Sequence, residues 1–449
     1  MNKMEETSSV KSPTSKFVIY GMPRLGTSIV LGIESWALFT LYTLGYGVHP
    51  FLVGFAIAMG YLSIAFAQFF LGWLSDARYT RWGRRKPYLI VLTPLLGISF
   101  IFLLLPALVL PDLGDKSALF MWLLIWEIIF RISYAVTIPY QSWTAEQFEV
   151  SERPKVSQFQ NIFNFIGNGI MALVSLLILV EVLDEINTAP NVIPIQLFIP
   201  TLIFGLLVIV FFYFLVFIMP TEPKFEIKSS MMENLKNIGK NKNFLKVTVM
   251  QGIAGLAWSM IVAVMLTYAE VVLNLGGFDY IIVAVFLLLG IFFFLYLWRK
   301  LIQIKGKKQT LMYIFIFGIL FFPISLIGLI STGFALIIGI IFILGIAAVL
   351  GGWFLFPYMI YADIAEDDEK STGELKAGIY YGFPCIILNI FQAAGIFLLG
   401  AILSLPNITV GNLTYSIGLV LWGPICSLIL ICSLLYTKKF VKLDFEWEK

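Results

Sequence analysis

Twelve apolar runs of about 20 residues or more divide this chain of 449 residues, and that pattern leaves few ways to fold. A run of that length crosses the hydrocarbon layer as a helix, the only arrangement besides a closed barrel that satisfies every backbone polar group without water. In the first half the runs are Phe17 to Leu44, Phe51 to Leu74, Tyr88 to Leu110, Ser117 to Ile138, Phe159 to Val180 and Ile195 to Met219. In the second half they are Val247 to Leu273, Phe278 to Trp298, Leu311 to Ile330, Phe334 to Met359, Ala377 to Leu403 and Leu413 to Tyr436. Hydrophobic residues make up 59% and charged residues only 13%, against about 25% charged in soluble domains. The expected fold class is an all-α membrane protein with twelve transmembrane helices.

Two stretches repeat each other half a chain apart. Ala145-Glu146, Glu149 and Glu152-Arg153 match Ala362-Asp363, Glu366 and Glu369-Lys370 at an offset of 217 residues. Pro139-Tyr140 and Pro357-Tyr358 precede them at an offset of 218. Paired halves around a central axis, with a site between them, are the plan of a secondary transporter. The expected organisation is a polar tail over 1–16, six-helix bundles over 17–219 and 247–436, a central loop over 220–246 and a tail over 437–449. The first 16 residues lack a small-residue cleavage pattern, so the first span is expected to be retained.

Of 30 Lys and Arg residues, 27 fall on one side of the drawn spans. Lys116 falls on the other side, and Arg24 and Arg131 lie within spans. The positive-inside tendency places both termini in the cytoplasm. The net charge of +3 is then topology, and no nucleic-acid partner is called for. Cys385, Cys426 and Cys432 are odd in number and sit in apolar spans, so no disulfide framework is indicated. Asn407-Ile408-Thr409 and Asn412-Leu413-Thr414 are glycosylation sequons in a loop expected outside.

Ionisable groups at membrane depth cost roughly 3 kcal/mol each on insertion scales and persist mainly where they meet a partner or a wet cavity. Arg24 and Glu34 on the first span and Glu127 and Arg131 on the fourth are such groups. Glu127 precedes Arg131 by one turn, the favourable order for an ion pair, and Tyr134 continues the stripe. One reading is a polar site facing water, where carboxylates accept hydroxyl hydrogens or a proton and the guanidinium meets ligand oxygens. The other is a static interhelical pair, with Arg24 snorkelling to the surface.

Sugars present C-H faces that lie flat on aromatic rings and hydroxyls that need directed partners. Trp258, Tyr268 and Trp353 supply rings in the second half, and Trp143 lies just past the fourth span. Asn389 and Gln392 supply amides one turn apart on the eleventh span, and Gln68 another on the second. The one histidine, His49, sits in an outer loop, and no Cys and His spacing suits a metal, so neither enzyme chemistry nor a cofactor is expected.

The loop after the second span reads Gly72-Trp73-Leu74-Ser75-Asp76-Ala77-Arg78-Tyr79-Thr80-Arg81-Trp82-Gly83-Arg84-Arg85-Lys86-Pro87. It resembles the signature loop of the major facilitator superfamily, and its ending resembles the glycoside, pentoside and hexuronide symporter branch, home of melibiose permease and plant sucrose carriers. Ala362-Asp363-Ile364, Asp368-Glu369, Thr372-Gly373 and Gly378 resemble that branch's loop between the tenth and eleventh helices. Physically the loop reads as a cytoplasmic latch, or as bases that only fix topology beside solvated acids. In the latch Asp76 faces helix N-termini, while Arg81, Arg84 and Arg85 reach acids of the other half such as Asp363, Glu366 or Glu369, beside Glu146 and Glu152 of the repeated motif. The corresponding loop in the second half keeps Gly306-Lys307-Lys308, with Gly306 223 residues after Gly83.

The chain departs from the branch at its cation site. Aspartates expected on the second and fourth helices are replaced by the stretch Ser63 to Phe70, including Gln68, and by Thr137. The branch's basic residue on the fifth helix stands as Gln160 or Asn161, and that on the eleventh as Asn389. Sodium coupling is therefore not expected, whereas a proton needs only one buried carboxylate, Glu34 or Glu127. The leading expectation is a monomeric, proton-coupled sugar or glycoside transporter of the plasma membrane, alternating access between two bundles. An uncoupled facilitator, a lysolipid or other amphiphile carrier and a transporter-like nutrient receptor remain open.

Overall fold

The computed structural model describes residues 13–149, 152–175, 180–222, 224, 239, 241–276, 278–330, 334–372 and 377–444. Within them run the helices α1 (Thr14–Gly45), α2 (Pro50–Ala77), α3 (Lys86–Leu104), α4 (Lys116–Tyr134, resuming as Thr137–Gln147), α5 (Arg153–Leu173) and α6 (Ile195–Ile218). The second set is α7 (Lys242–Val271), α8 (Phe278–Lys305), α9 (Lys307–Phe321), α10 (Ala335–Thr372), α11 (Ala377–Leu403) and α12 (Gly418–Phe440). Eleven of these segments are long and apolar enough to cross a membrane; α5 is not among them. The fifth span is diluted by Gln158, Gln160, Asn161, Asn164 and Asn168, and a short helix, Val180–Thr188, follows it.

Local chemistry sets the helix ends. Pro50 stands at the first turn of α2, where its missing N-H is no loss. Asp115 caps α4 by accepting from the Ser117 and Ala118 N-H groups. The third span ends earlier than the sequence suggests, at Leu104, because Pro106 opens a tighter 3-10 turn. The ninth likewise passes into a 3-10 helix, Phe322–Leu329.

Prolines inside helices strip a carbonyl one turn back of its partner, and in lipid that carbonyl must be satisfied by protein. Pro94 frees Ile90, whose carbonyl accepts the Tyr213 hydroxyl of α6 at 3.1 Å. Pro424 frees Val420, whose carbonyl accepts the Ser325 hydroxyl at 2.6 Å. Close helix approach uses small residues, as bilayer packing favours. Gly97 of α3 and Gly205 of α6 abut, so that a Cβ on Gly97 would lie 2.3 Å from the Gly205 carbonyl oxygen.

The two sets of six helices meet toward the ends farthest from the chain termini, the outer side on the charge reading. Thr40 of α1 and Thr267 of α7 share a hydrogen bond of 2.8 Å. Gly54 of α2 packs backbone to backbone on Gly400 of α11, and Phe51 meets Phe397 at 5.3 Å between ring centroids. Between α11 and α12 lies a hairpin, β1 (Asn407–Val410) paired antiparallel with β2 (Leu413–Ser416), where the sequence reading has a loop and, from Leu413, the start of the twelfth span. Its turn uses Gly411 at φ +61°, and both sequon asparagines are exposed on it.

Candidate functional site

Glu34, Glu127 and Arg131 come together between α1 and α4. The Arg131 Nε donates to Glu127 Oε1 at 2.9 Å, and its Nη2 donates to Glu34 Oε1 at 2.6 Å. Ser35 donates to the other Glu34 oxygen at 2.9 Å. Tyr61 of α2 lays its ring 3.9 Å from the guanidinium carbon, a cation–π contact that covers the open face. Gly60, the preceding residue, makes room for the acid: a Cβ there would sit 2.4 Å from Glu127 Oε1.

The sequence reading set this trio on a water-filled cavity, and the structure corrects that. Relative exposure is 1% for Glu34, 0% for Glu127 and 3% for Arg131. The α2 backbone at Gly60 and the Tyr61 ring close the site, so in this conformation ligand hydroxyls do not reach it. Its composition is still unlike that of a purely structural pair, since one base faces two acids. Glu127 Oε2 is buried without a hydrogen-bond partner among the described residues, and both acids bind the one guanidinium. Fully ionised, the trio has one uncompensated negative charge; with one proton bound it is neutral. A dry site strongly favours the neutral arrangement.

The other sequence-derived residues fall in four places. Gln68 and Asn389 meet across the two halves at 3.4 Å, with Gln392 one turn on along α11 and all three half-buried. Trp353 of α10 is also half-buried and lies 5.4 Å from the buried Trp258 of α7, centroid to centroid, at an interplanar angle of 37°. The Trp258 indole N-H has no partner among the described residues. Tyr268, by contrast, packs in the core against Phe342 and Trp422 and donates to the Ser325 carbonyl at 2.9 Å, so it does not join this group. Tyr134 is half-buried beside Phe130.

The charged loops form two copies of one device. Gly83 and Gly306 both take positive φ, +93° and +85°. After the first, Arg84 and Arg85 bind Glu146 at 3.0 and 2.7 Å; after the second, Lys307 binds Asp363 at 2.6 Å. Glu146 and Asp363 are the matched acids of the repeated motif. In front of each glycine lies a carboxylate from beyond the last helix of its own half. Glu222 accepts the Arg84 and Arg85 backbone N-H groups and the Trp143 indole N-H, the last at 3.0 Å. Asp444 accepts the Lys307 N-H at 2.8 Å and the Lys308 N-H at 3.4 Å. A Cβ at Gly83 would lie 2.5 Å from Glu222 and one at Gly306 3.0 Å from Asp444, so both positions need glycine for space as well as for φ.

Among the described contacts Arg84 and Arg85 hold Glu146 of their own half. Asp363 is held by Lys307, and Glu366 pairs with Lys370 on the surface at 3.0 Å. Arg81 is exposed and stacks over Trp82 at 4.9 Å, and Glu152 is half-buried at the start of α5. The side chains of Asp76 and Glu369 lie outside the described residues.

Sequence reading missed Glu222 and Asp444, which stand 222 residues apart, a fourth offset close to the other three. It also missed the amide-rich face of α5, from which Asn164 binds the Ser28 hydroxyl of α1 at 2.5 Å. The signal for that face was present: five amides in a span otherwise apolar.

Comparison with known proteins agrees with this architecture. The chain is 16% identical, over 96% of each chain, to the inward open xylose transporter XylE from E. coli, with a TM-score of 0.57. It is 14% identical to the nucleoside transporter NupG, over 95% of this chain and 99% of that one, with a TM-score of 0.64. A bacterial homologue of the human lysosomal transporter Spinster aligns over 95% of both chains at 12% identity and a TM-score of 0.62. At the level of sequence, 158 residues are 27% identical to an uncharacterised symporter of Synechocystis, covering 34% of this chain and 29% of that protein. Residues 19–436 match the profile of the family described as MFS/sugar transport protein. With the helix order, the duplicated loops and a match over almost the whole length, the chain belongs to the MFS/sugar transport protein family.

Proposed function

We propose that this protein carries a sugar or glycoside across the plasma membrane by alternating access, coupled to a proton held on Glu127. The carrying observation is the surplus acid in the sealed trio: Arg131 balances one carboxylate, and Glu127 Oε2 has no partner among the described residues. A static pair would need one acid; a second buried acid is stable only with a proton. Glu34 and Arg131 hold Glu127 in place and stabilise its ionised form once the proton leaves. Substrate contact falls to the half-exposed groups at the seam, with Gln68, Asn389 and Gln392 for hydroxyls and Trp353 against Trp258 for a ring face. The outer contacts Thr40–Thr267 and Gly54–Gly400 suit a state closed on that side, reopening as the halves rock. The printed name of the Synechocystis relative, a symporter, favours coupling over an uncoupled facilitator.

The test is uptake by proteoliposomes. Glu127→Gln should abolish accumulation driven by a pH gradient while leaving substrate counterflow, since Gln mimics the protonated acid. Unchanged gradient-driven accumulation by the variant would refute the assignment.

A further inference from the structure

Charge is distributed so unevenly over this molecule that it bears on which solutes pass. On the outer side the described side chains include Asp112, Asp115, Asp184, Glu185, Glu270 and Asp279. The base placed there is Lys116, whose ammonium is held by the Tyr46 and Leu113 carbonyls at 2.6 and 3.2 Å. An entrance of this sign lowers the local concentration of anions.

At membrane depth the sequence has two bases, Arg24 and Arg131. Arg131 spends its donors on Glu127 and Glu34, and Tyr61 covers its face. Arg24 stands at the first turn of the helical stretch Pro23–Thr40, toward the opposite end of α1 from Thr40, and is engaged in a contact of its own. The groups assigned to substrate contact, Gln68, Asn389, Gln392 and Trp353, are uncharged. A carboxylate or phosphate entering the seam would shed water and meet no cation among these groups in return.

We infer that the solute bears no net negative charge: the site takes an uncharged polyhydroxylated ring and rejects its uronate and sugar-phosphate counterparts. This rests on the sugar-carrier reading above and narrows it.

The experiment is uptake by wild-type proteoliposomes of matched pairs: glucose with glucuronate, galactose with galacturonate, and their methyl glycosides. The neutral member of at least one pair should enter about 100-fold faster than its uronate at neutral pH. Raising ionic strength should narrow the gap only in part, because salt screens the entrance and not the seam. Gln68→Lys, which puts a base on the seam, should raise uronate uptake relative to the neutral partner. Uronate uptake within about threefold of the neutral partner would overturn the inference while leaving a sugar carrier intact. Absence of uptake for every member of the panel would overturn the carrier reading and this inference with it.

Discussion

Replacing Gly60 by alanine tests whether the sealed trio is a built site. In an exposed helix interior, Gly→Ala is favourable by about 0.5–1 kcal/mol. Here the new methyl would fall 2.4 Å from Glu127 Oε1 and 2.6 Å from its Cγ, so the carboxyl must move. Movement breaks the 2.9 Å bond to Arg131. Loss of a hydrogen bond between charged groups costs about 1.5–3 kcal/mol, and a poorly matched buried charge adds to it. The expected net destabilisation is about 2–4 kcal/mol, a fall of about 2–4 °C in apparent melting temperature at about 1 °C per kcal/mol for a chain of this length. Gly169→Ala is the control, because a Cβ there meets nothing within 4 Å. Its melting temperature should hold or rise slightly. The double variant Gly60→Ala with Glu127→Ala removes the collision and should be no less stable than Glu127→Ala alone, a non-additivity that marks direct contact. Thermal melts in detergent and proton-driven uptake provide the readouts. If Gly60→Ala melts and transports like the wild type, the packing argument for the trio is wrong.

Three further outcomes follow from the geometry. Glu222→Gln and Asp444→Asn each weaken charge-assisted bonds to backbone N-H groups and should cost about 1–3 kcal/mol by thermal melt, with Glu222 the larger because it also holds Trp143; equal stability of both variants to wild type would remove the paired-clamp reading. After replacement of the three native cysteines, Thr40→Cys with Thr267→Cys should form an oxidised bridge that stops uptake and is reversed by reductant, since the hydroxyls lie 2.8 Å apart; a bridged protein that still transports would show that this contact does not open. Tyr213→Phe should cost about 0.6–1.7 kcal/mol by leaving the Ile90 carbonyl unpaired in lipid, and an unshifted melt would show that another group or water serves it.

The membrane class, the number of spans and the duplication were legible in the sequence because each rests on local quantities: apolar length, the side on which bases fall and the spacing of a motif. A helix, Arg153–Leu173, stands where the fifth span was expected, but its amides leave it outside the eleven segments apolar enough to cross. Breaks inside the fourth and ninth spans were less legible. Tyr134 and Thr137 flank a two-residue break at Ala135–Val136, just ahead of Pro139, and Phe322–Leu329 tightens into a 3-10 helix.

The identity of the polar groups at the site was equally local, since an acid or base in lipid is conspicuous on insertion cost alone. Their arrangement was not. Glu127 and Arg131 pair by helical periodicity, and that could be read one turn apart. Glu34 joins them from 97 residues away, and only packing decides that Arg131 faces two acids instead of one. The same holds for Tyr268, a mid-span ring like Trp258, which tertiary packing sets against Phe342 and Trp422 while Trp258 pairs with Trp353. Glu222 and Asp444 were invisible because a carboxylate beyond the last helix looks like any solvated acid until the glycine loop comes beside it. Sequence alone determined which segments enter the bilayer and which charges must find partners there. The tertiary structure decided which partner each one found, because burial and hydrogen bonding depend on distances between helices that no local pattern encodes.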